Sequence, residues 1–316
     1  MCWPSSAPGP AEAAAPDPLP ILHHGQVRYV EPLFRPPAEA EAYILQATLG
    51  CSWNHCTYCG MYRSKAFRVR PVEALVAEIR EAGRHWAPEV RHVFVADGDP
   101  LAMDMETWEP VLRALREAFP RLRRISTYAT ARNLLEKTPA ELARLRSLGL
   151  SLLYLGPESG DDPTLHRLAK GSDAAAHVEA ARKAREAGME QSLMFLLGAG
   201  GTDRSEAHAR ASGRLATAMD PKYLSTLTLT VVPGTPLAHQ EAAGSFRLPG
   251  IPDLLRELTW FLEEARPSNA IFRSDHASNH LALSGRLPRD RDAMLARLEA
   301  AQAGLVRLRP EWMRGL

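Results

Sequence analysis

Three of the chain's four cysteines fall within one short stretch, Cys51-Ser52-Trp53-Asn54-His55-Cys56-Thr57-Tyr58-Cys59. Thiolates this close cannot comfortably pair as disulfides, and an odd number leaves one over. They can hold a metal group. A cubane [4Fe–4S] cluster takes one thiolate per iron, so three cysteines hold three irons and leave the fourth open to oxygen and nitrogen donors. A zinc site would need a fourth ligand, and His55, adjacent to Cys56, has an awkward bite for one tetrahedral ion. Coincidentally buried thiols are a third reading. A closed four-cysteine cluster would have to recruit Cys2 from a Pro/Ala-rich stretch.

The elements that must position this loop alternate regularly. The apolar run Tyr43 to Leu49 reads as a strand ending at Gly50, immediately before Cys51. The spacing of Val72, Leu75, Val76 and Ile79 after Pro71 predicts a helix to about Gly83. Strands are predicted at 92–96, 122–128, 150–155, 191–197 and 223–232. Helices are predicted after Pro100 (with Trp108, Val111, Leu112 and Leu115 on one face), at 139–148, at 174–187 and at 203–219. Six such alternations argue for parallel strands, in either a doubly wound sheet or a barrel. In both, chemistry gathers at the carboxyl ends of strands. The cysteine loop, Asp97-Gly98-Asp99, Glu158-Ser159, Gly198 to Gly201 and Pro233-Gly234 all sit there. Two further helices are predicted at 252–265 and 288–306, with the polar run Ile271 to His280 between them.

The chain has 316 residues, enough for one large or two modest domains. Its 45% hydrophobic and 24% charged content is that of an ordinary globular protein. A net charge of +1 gives no overall field for nucleic acid or membrane, though it leaves room for a local basic groove. No apolar run reaches the ~20 residues of a membrane span. No basic start followed by an apolar stretch marks a secretory signal. Clustered cysteines fit a reducing compartment, so the expected location is cytoplasmic. His23-His24 reads as a solvated pair.

The cysteine loop resembles that of the radical S-adenosylmethionine (SAM) enzymes, in which an aromatic residue precedes the last cysteine and two residues separate the last pair. Tyr58 fills the aromatic position. Four residues rather than the usual three separate Cys51 from Cys56, a departure that bears on loop geometry. The resemblance implies an α/β fold, a partial (β/α)6 TIM-like barrel with a C-terminal, mostly helical extension. Residues 1–20 would then be a disordered tail, 21–240 the core barrel and 241–316 an extension covering the barrel mouth. Gly98-Asp99-Pro100 occupies the place of the family's Gly-Gly-Glu-Pro-like motif, which holds the SAM amino group. By itself the segment reads as a plain Asp-Gly turn.

Gly156-Pro157-Glu158-Ser159-Gly160 with Lys170 is similar to the Gly-x-Glu-Ser-Gly segment and downstream basic residue of the branch containing oxygen-independent coproporphyrinogen oxidase, methylthiotransferase and elongator-type members. That likeness implies Glu158 and Ser159 facing the SAM ribose or methionine end. Lys170 would pair with its carboxylate, without the bidentate fork of arginine. Gly198 would let backbone approach the adenosine. No Lys-Ser/Thr follows the glycines at 198–201, so they form no Walker loop. Asp275 and His276 offer an acid and a base across the barrel mouth, against the plain reading of a polar turn.

The implied cofactors are a [4Fe–4S] cluster held by Cys51, Cys56 and Cys59, and SAM. The implied activity is reductive cleavage of SAM to a 5′-deoxyadenosyl radical that abstracts hydrogen from a small-molecule substrate. The electrons would come from a donor such as flavodoxin or ferredoxin. A tRNA substrate is the second reading, with Arg121, Arg123 and Arg124 as its basic turn. An iron–sulfur redox or sensor protein that leaves SAM intact is a third. No cysteine set for an auxiliary cluster, acetyltransferase domain, all-β RNA-binding module or cobalamin signature is recognisable.

Overall fold

The computed structural model describes residues 29–315. The expected tail over 1–20, Cys2 and His23-His24 lie outside them. The chain runs β1 (Tyr43–Gln46), β2 (Thr48–Leu49), β3 (Arg68–Val69), α1 (Val72–Trp86), β4 (His92–Ala96) and α2 (Met105–Ala118). It continues with β5 (Arg124–Ala129), α3 (Ala131–Glu136), α4 (Pro139–Ser147), β6 (Leu150–Glu158), α5 (Asp162–Arg167) and α6 (Ala174–Glu186). Then come β7 (Glu190–Leu197), α7 (Gly201–Met219), β8 (Tyr223–Thr228), α8 (Pro236–Ala242), α9 (Ile251–Glu264), β9 (Ala270–Arg273), β10 (Ser284–Leu287) and α10 (Arg291–Gln302).

The main sheet has the order β1-β4-β5-β6-β7-β8-β9-β10. Every pair from β1 through β9 is parallel, and β10 closes the edge antiparallel to β9. Alternation of side chains assigns the two faces. Leu45, Val93, Val95, Ile125, Leu153, Leu155, Leu193, Phe195 and Leu224 point to the helices and form the main core with Trp108, Leu112, Leu115 and Phe261. The other face carries Phe94, Tyr128 and Tyr154 in mutual edge-to-face contact at 4.9, 5.9 and 6.2 Å. A plug beneath them is built on Glu39, which is buried. Its carboxylate accepts hydrogen bonds from Arg124 (3.0 Å), Ser126 Oγ (2.9 Å) and Tyr154 OH (2.6 Å).

The predicted alternation is observed, with instructive differences. The first strand stops at Gln46, because the chain breaks step at Ala47 and β2 pairs with β3 instead. The sixth ends at Thr228 rather than at 232. Helix α3 lacks a long apolar repeat and was invisible to periodicity, yet Thr130 and Asn133 form a reciprocal capping box at its start. The C-terminal extension is not only helical. It also adds β9 and β10 to the sheet, pinned by Phe272 against Phe261. Two four-residue strands carry too little periodicity to be read from sequence. Among the described residues no helix is long and apolar enough to cross a membrane.

Phe261 of α9 touches Phe195 of β7 at 5.4 Å and Phe272 of β9 at 6.3 Å, joining the extension to the sheet. Phe261→Ala is expected to cost about 3–5 kcal/mol, because it opens a cavity at a fully buried aromatic. Urea unfolding measures this; a loss below about 1 kcal/mol would mean that α9 does not hold the sheet.

A second buried group on α9 gives the fold a pH dependence. Glu257 accepts hydrogen bonds from the Gly198 amide and from Ser205 Oγ, both at 2.6 Å. Burial nevertheless pushes its carboxyl up from 4.5 to about 7. The unfolded chain ionises first, so this stability is complete below about pH 4.5 and is lost as pH rises to about 7. The loss over that window is on the order of 3 kcal/mol. Glu257→Gln is expected to flatten it, as read from chemical denaturation at pH 5 and 8.

Candidate iron–sulfur site

The cysteine loop begins where β2 ends and is tied on three sides. The first tie is to the loop after β4. Asp99 accepts from the Ser52 amide at 2.7 Å and from Ser52 Oγ, and the Gly98 amide donates to Gly50 O at 3.1 Å. The second is to the turn after α5. There the Thr57 amide and Oγ1 donate to Leu168 O (2.9 Å) and Arg167 O (3.0 Å), and Trp53 Nε1 donates to Ala169 O (2.7 Å). The third is internal: Arg63 donates to Cys59 O at 2.7 Å and to Cys56 O at 2.6 Å. The longer first spacing is absorbed at Asn54, which takes a positive φ of 44° and donates to Tyr62 O at 3.0 Å. Asparagine tolerates that left-handed backbone better than most residues.

Cys51, Cys56 and Cys59 are free thiols, each partly buried. Burial, with the Asp99 carboxylate adding to it, pushes the Cys51 thiol up to about 11. Burial also raises Cys56, opposed by the nearby Lys170 ammonium. Without metal Cys51 and Cys56 therefore hold their protons, and ligation must release them. No three His, Cys, Asp or Glu side chains among the described residues are placed to share a single ion. A cubane makes no such demand, because each thiolate takes its own iron.

Facing the loop, Glu158 ends β6. Its Oε1 accepts from Tyr58 OH at 2.8 Å and from Lys170 Nζ at 3.1 Å. Its side chain folds back over Gly156, where any Cβ would collide with Oε1. Its Oε2 is buried and has no hydrogen-bond partner, although the residue is only 3% exposed. A buried carboxylate oxygen left unpaired beside an ammonium and a phenol is costly unless a donor arrives from a ligand. Burial pulls the Lys170 ammonium down, but Glu158 and the cysteines beside it push it up further, so its net shift is upward and it stays charged. The donor set thus fits the implied groups: three thiols, one orphaned carboxylate oxygen and one fixed cation.

Other residues singled out from the sequence lie elsewhere or are otherwise engaged. Ser159, expected to face SAM, points the opposite way from Glu158, because β6 turns at Glu158 with φ 67°. Its Oγ meets His208 Nδ1 at 2.7 Å inside the fold. His208 Nε2 bonds to Leu196 O at 3.0 Å, and burial lowers this imidazole to about 4, so it stays neutral as the Nε2–H tautomer. Gly198, expected to leave backbone open for adenosine, has the space of its missing side chain filled by Leu248 (2.8 Å) and Leu254 (3.2 Å). Its amide is spent on Glu257. Both Asp99 oxygens are engaged by Ser52, so it anchors the loop.

Asp275 is exposed, and His276 Nδ1 bonds locally to Ser278 Oγ at 2.9 Å. No hydrogen bond or ion pair among the described residues joins Asp275 or His276 to the cysteine loop. Ser278 and Asn279 instead clamp the end of β8, through the Thr228 amide (3.1 Å), Thr228 Oγ1 (2.9 Å) and Thr226 O (2.7 Å).

Sequence reasoning missed Ser52, Gln46 and Lys65. Lys65 meets Asp97 at 3.0 Å with both side chains buried, and Gln46 donates to the same Asp97 oxygen at 3.2 Å. Only the motif-like Asp97-Gly98-Asp99 hinted that buried partners were needed.

A parallel sheet with a three-cysteine loop at its carboxyl edge, facing an unpaired carboxylate oxygen, has the topology and donors that an iron–sulfur protein on a partial (β/α) barrel would use. Residues 45–211, more than half of the chain, match the radical SAM superfamily, and the chain belongs to that superfamily.

Two solved structures with TM-scores above 0.5 share the fold, and a third is similar over part of its length. Coproporphyrinogen III oxidase (HemN) from Escherichia coli superposes with TM-score 0.55 at 21% identity, over 71% of this chain and 52% of that one. The radical SAM methyltransferase TsrM from Kitasatospora setae, with tryptophan and a SAM analogue bound, gives 0.52 at 19% identity, over 65% and 39%. Methylornithine synthase (PylB) gives 0.49 at 20%, over 71% and 63%. The chain thus spans between about two fifths and three fifths of these relatives. No curated protein matches it.

The Asp99 clamp is testable. Asp99→Ala strands the Ser52 amide and hydroxyl, and is expected to cost about 1.5–3 kcal/mol as the loss of a charged hydrogen-bond acceptor. Iron bound per chain after anaerobic reconstitution should fall well below wild type; full iron content would show that the clamp is dispensable.

Proposed function

We propose that Cys51, Cys56 and Cys59 hold the cluster and that the chain abstracts a hydrogen atom from a small organic substrate lying over the concave face of the sheet. The single observation that carries this reading is the pairing of three free thiols on one loop with the unpartnered Glu158 Oε2. A reduced cluster held by Cys51, Cys56 and Cys59, with SAM beside Glu158 and Lys170, would supply the one-electron chemistry for hydrogen-atom abstraction. The chain's residues do the rest. Tyr58 and Lys170 fix the Glu158 carboxylate, so that its free oxygen can accept a hydrogen bond from the ammonium or a ribose hydroxyl of SAM. Lys170, charged and beside the thiols, supplies the positive potential that a carboxylate group of SAM requires. Phe94, Tyr128 and Tyr154 form an aromatic wall below, which keeps water from the reacting carbon. A one-electron donor of the flavodoxin or ferredoxin type serves as redox partner.

The test is anaerobic purification, reconstitution with iron and sulfide, and addition of SAM and a strong reductant. Brown protein that forms 5′-deoxyadenosine is expected, with at least a hundredfold loss in Cys56→Ala. A colourless protein holding zinc would overturn the reading.

A further inference from the structure

The concave face of the sheet carries an arginine, Arg273, that makes no hydrogen bond or ion pair among the described residues. Ala270 and Phe272 of β9 belong to the helix-side core, so Ile271 and Arg273 point to the concave side. Strand register then places Arg273. One row across the sheet is Tyr128–Tyr154–Ser192–Tyr223–Ile271. The next, nearer the mouth, contains Met194, Ser225 and Arg273, and Gly156 stands two residues beyond Tyr154 on β6 at the same level. Arg273 therefore lies in the row over which Glu158 folds. Three strand spacings separate them, roughly 14 Å along the sheet.

Charge selects the function of this residue. Lys170 is paired with Glu158, Lys65 with Asp97, and Arg124 with Glu39. Arg273 is exposed and has no hydrogen-bond or ion-pair partner among the described residues. Between it and β6 the concave face mixes apolar and aromatic groups, Tyr154, Met194 and Leu227, with the hydroxyls of Ser192 and Ser225.

We propose that Arg273 binds the carboxylate of the substrate, and that the substrate is a small organic acid whose apolar body lies against Tyr154 and Met194. This rests on the proposed hydrogen abstraction at the cysteine-loop end of the same face. A guanidinium fork matches a carboxylate with two parallel hydrogen bonds, which sets orientation as well as affinity. Anchored at Arg273, an acid of modest length presents a carbon several ångströms from its carboxylate toward the Glu158 end. The same geometry explains why a free cation stands beside an apolar surface: it fixes which end of the substrate faces away from the thiols.

The test uses reconstituted full-length protein with SAM and three probes, benzoate, phenylacetate and 1-naphthoate, each beside its neutral carboxamide. Calorimetric titration of wild type should show at least one acid bound tenfold or more tightly than its amide. Arg273→Gln should abolish that preference, and Arg273→Lys should keep only part of it, with circular dichroism confirming that both variants fold. No preference in wild type, or the same preference in Arg273→Gln, would overturn the proposal. 5′-Deoxyadenosine formation is assayed on the same wild-type samples. Its absence alongside a clear carboxylate preference would overturn the reaction and leave the anion site standing.

Discussion

The structure depends on how a buried carboxylate at the end of β6 is satisfied. Glu158 stands in left-handed backbone, with Gly156 beneath it and Tyr58 and Lys170 on one oxygen. Through Tyr58 it reaches into the cysteine loop; through Lys170 it reaches the turn that also holds Thr57 and Trp53. One anion thus joins a strand end, a loop and a turn that are far apart in sequence. It does so while leaving one oxygen unspent beside the thiols, as Asp97 just after β4 also leaves its Oδ1.

The cysteine loop is a short irregular segment without secondary structure of its own, so its shape is borrowed. Asp99 grips its start, the turn after α5 grips its middle, and Arg63 ties the carbonyls of Cys56 and Cys59. Each grip is a hydrogen bond to a backbone carbonyl or to the Asp99 carboxylate, the arrangement that orients ligands before a metal group arrives. The additional residue between Cys51 and Cys56 is housed by one positive φ and one side-chain bond at Asn54.

The two faces of the sheet do different work. The helix side is a continuous aliphatic and aromatic core that fixes strand order. The concave side mixes aromatic rings, small hydroxyls and a few charges, most of them paired. In such a surface the unpaired groups are the informative ones, because burial or apolar surroundings make them expensive to leave idle.

The sequence by itself determined the periodic strands and helices, the parallel alternation, and the three-cysteine loop at a strand end. These are local signals: hydrophobic period, capping residues and thiol spacing all lie within a few residues of one another. Tertiary structure decided what each strand-end residue does. Glu158 and Ser159 are neighbours, yet one faces the thiols and the other a buried histidine, because a single positive φ turns the chain between them. Asp99 proved to be the anchor of the loop, Gly198 the floor beneath Leu248, and Asp275 a solvent-facing residue. The short strands β9 and β10, and with them the position of Arg273, are fixed by pairing with β8 and by Phe272 packing on Phe261. Such contacts join residues remote in the chain, and no spacing rule encodes which partner a side chain will meet after folding.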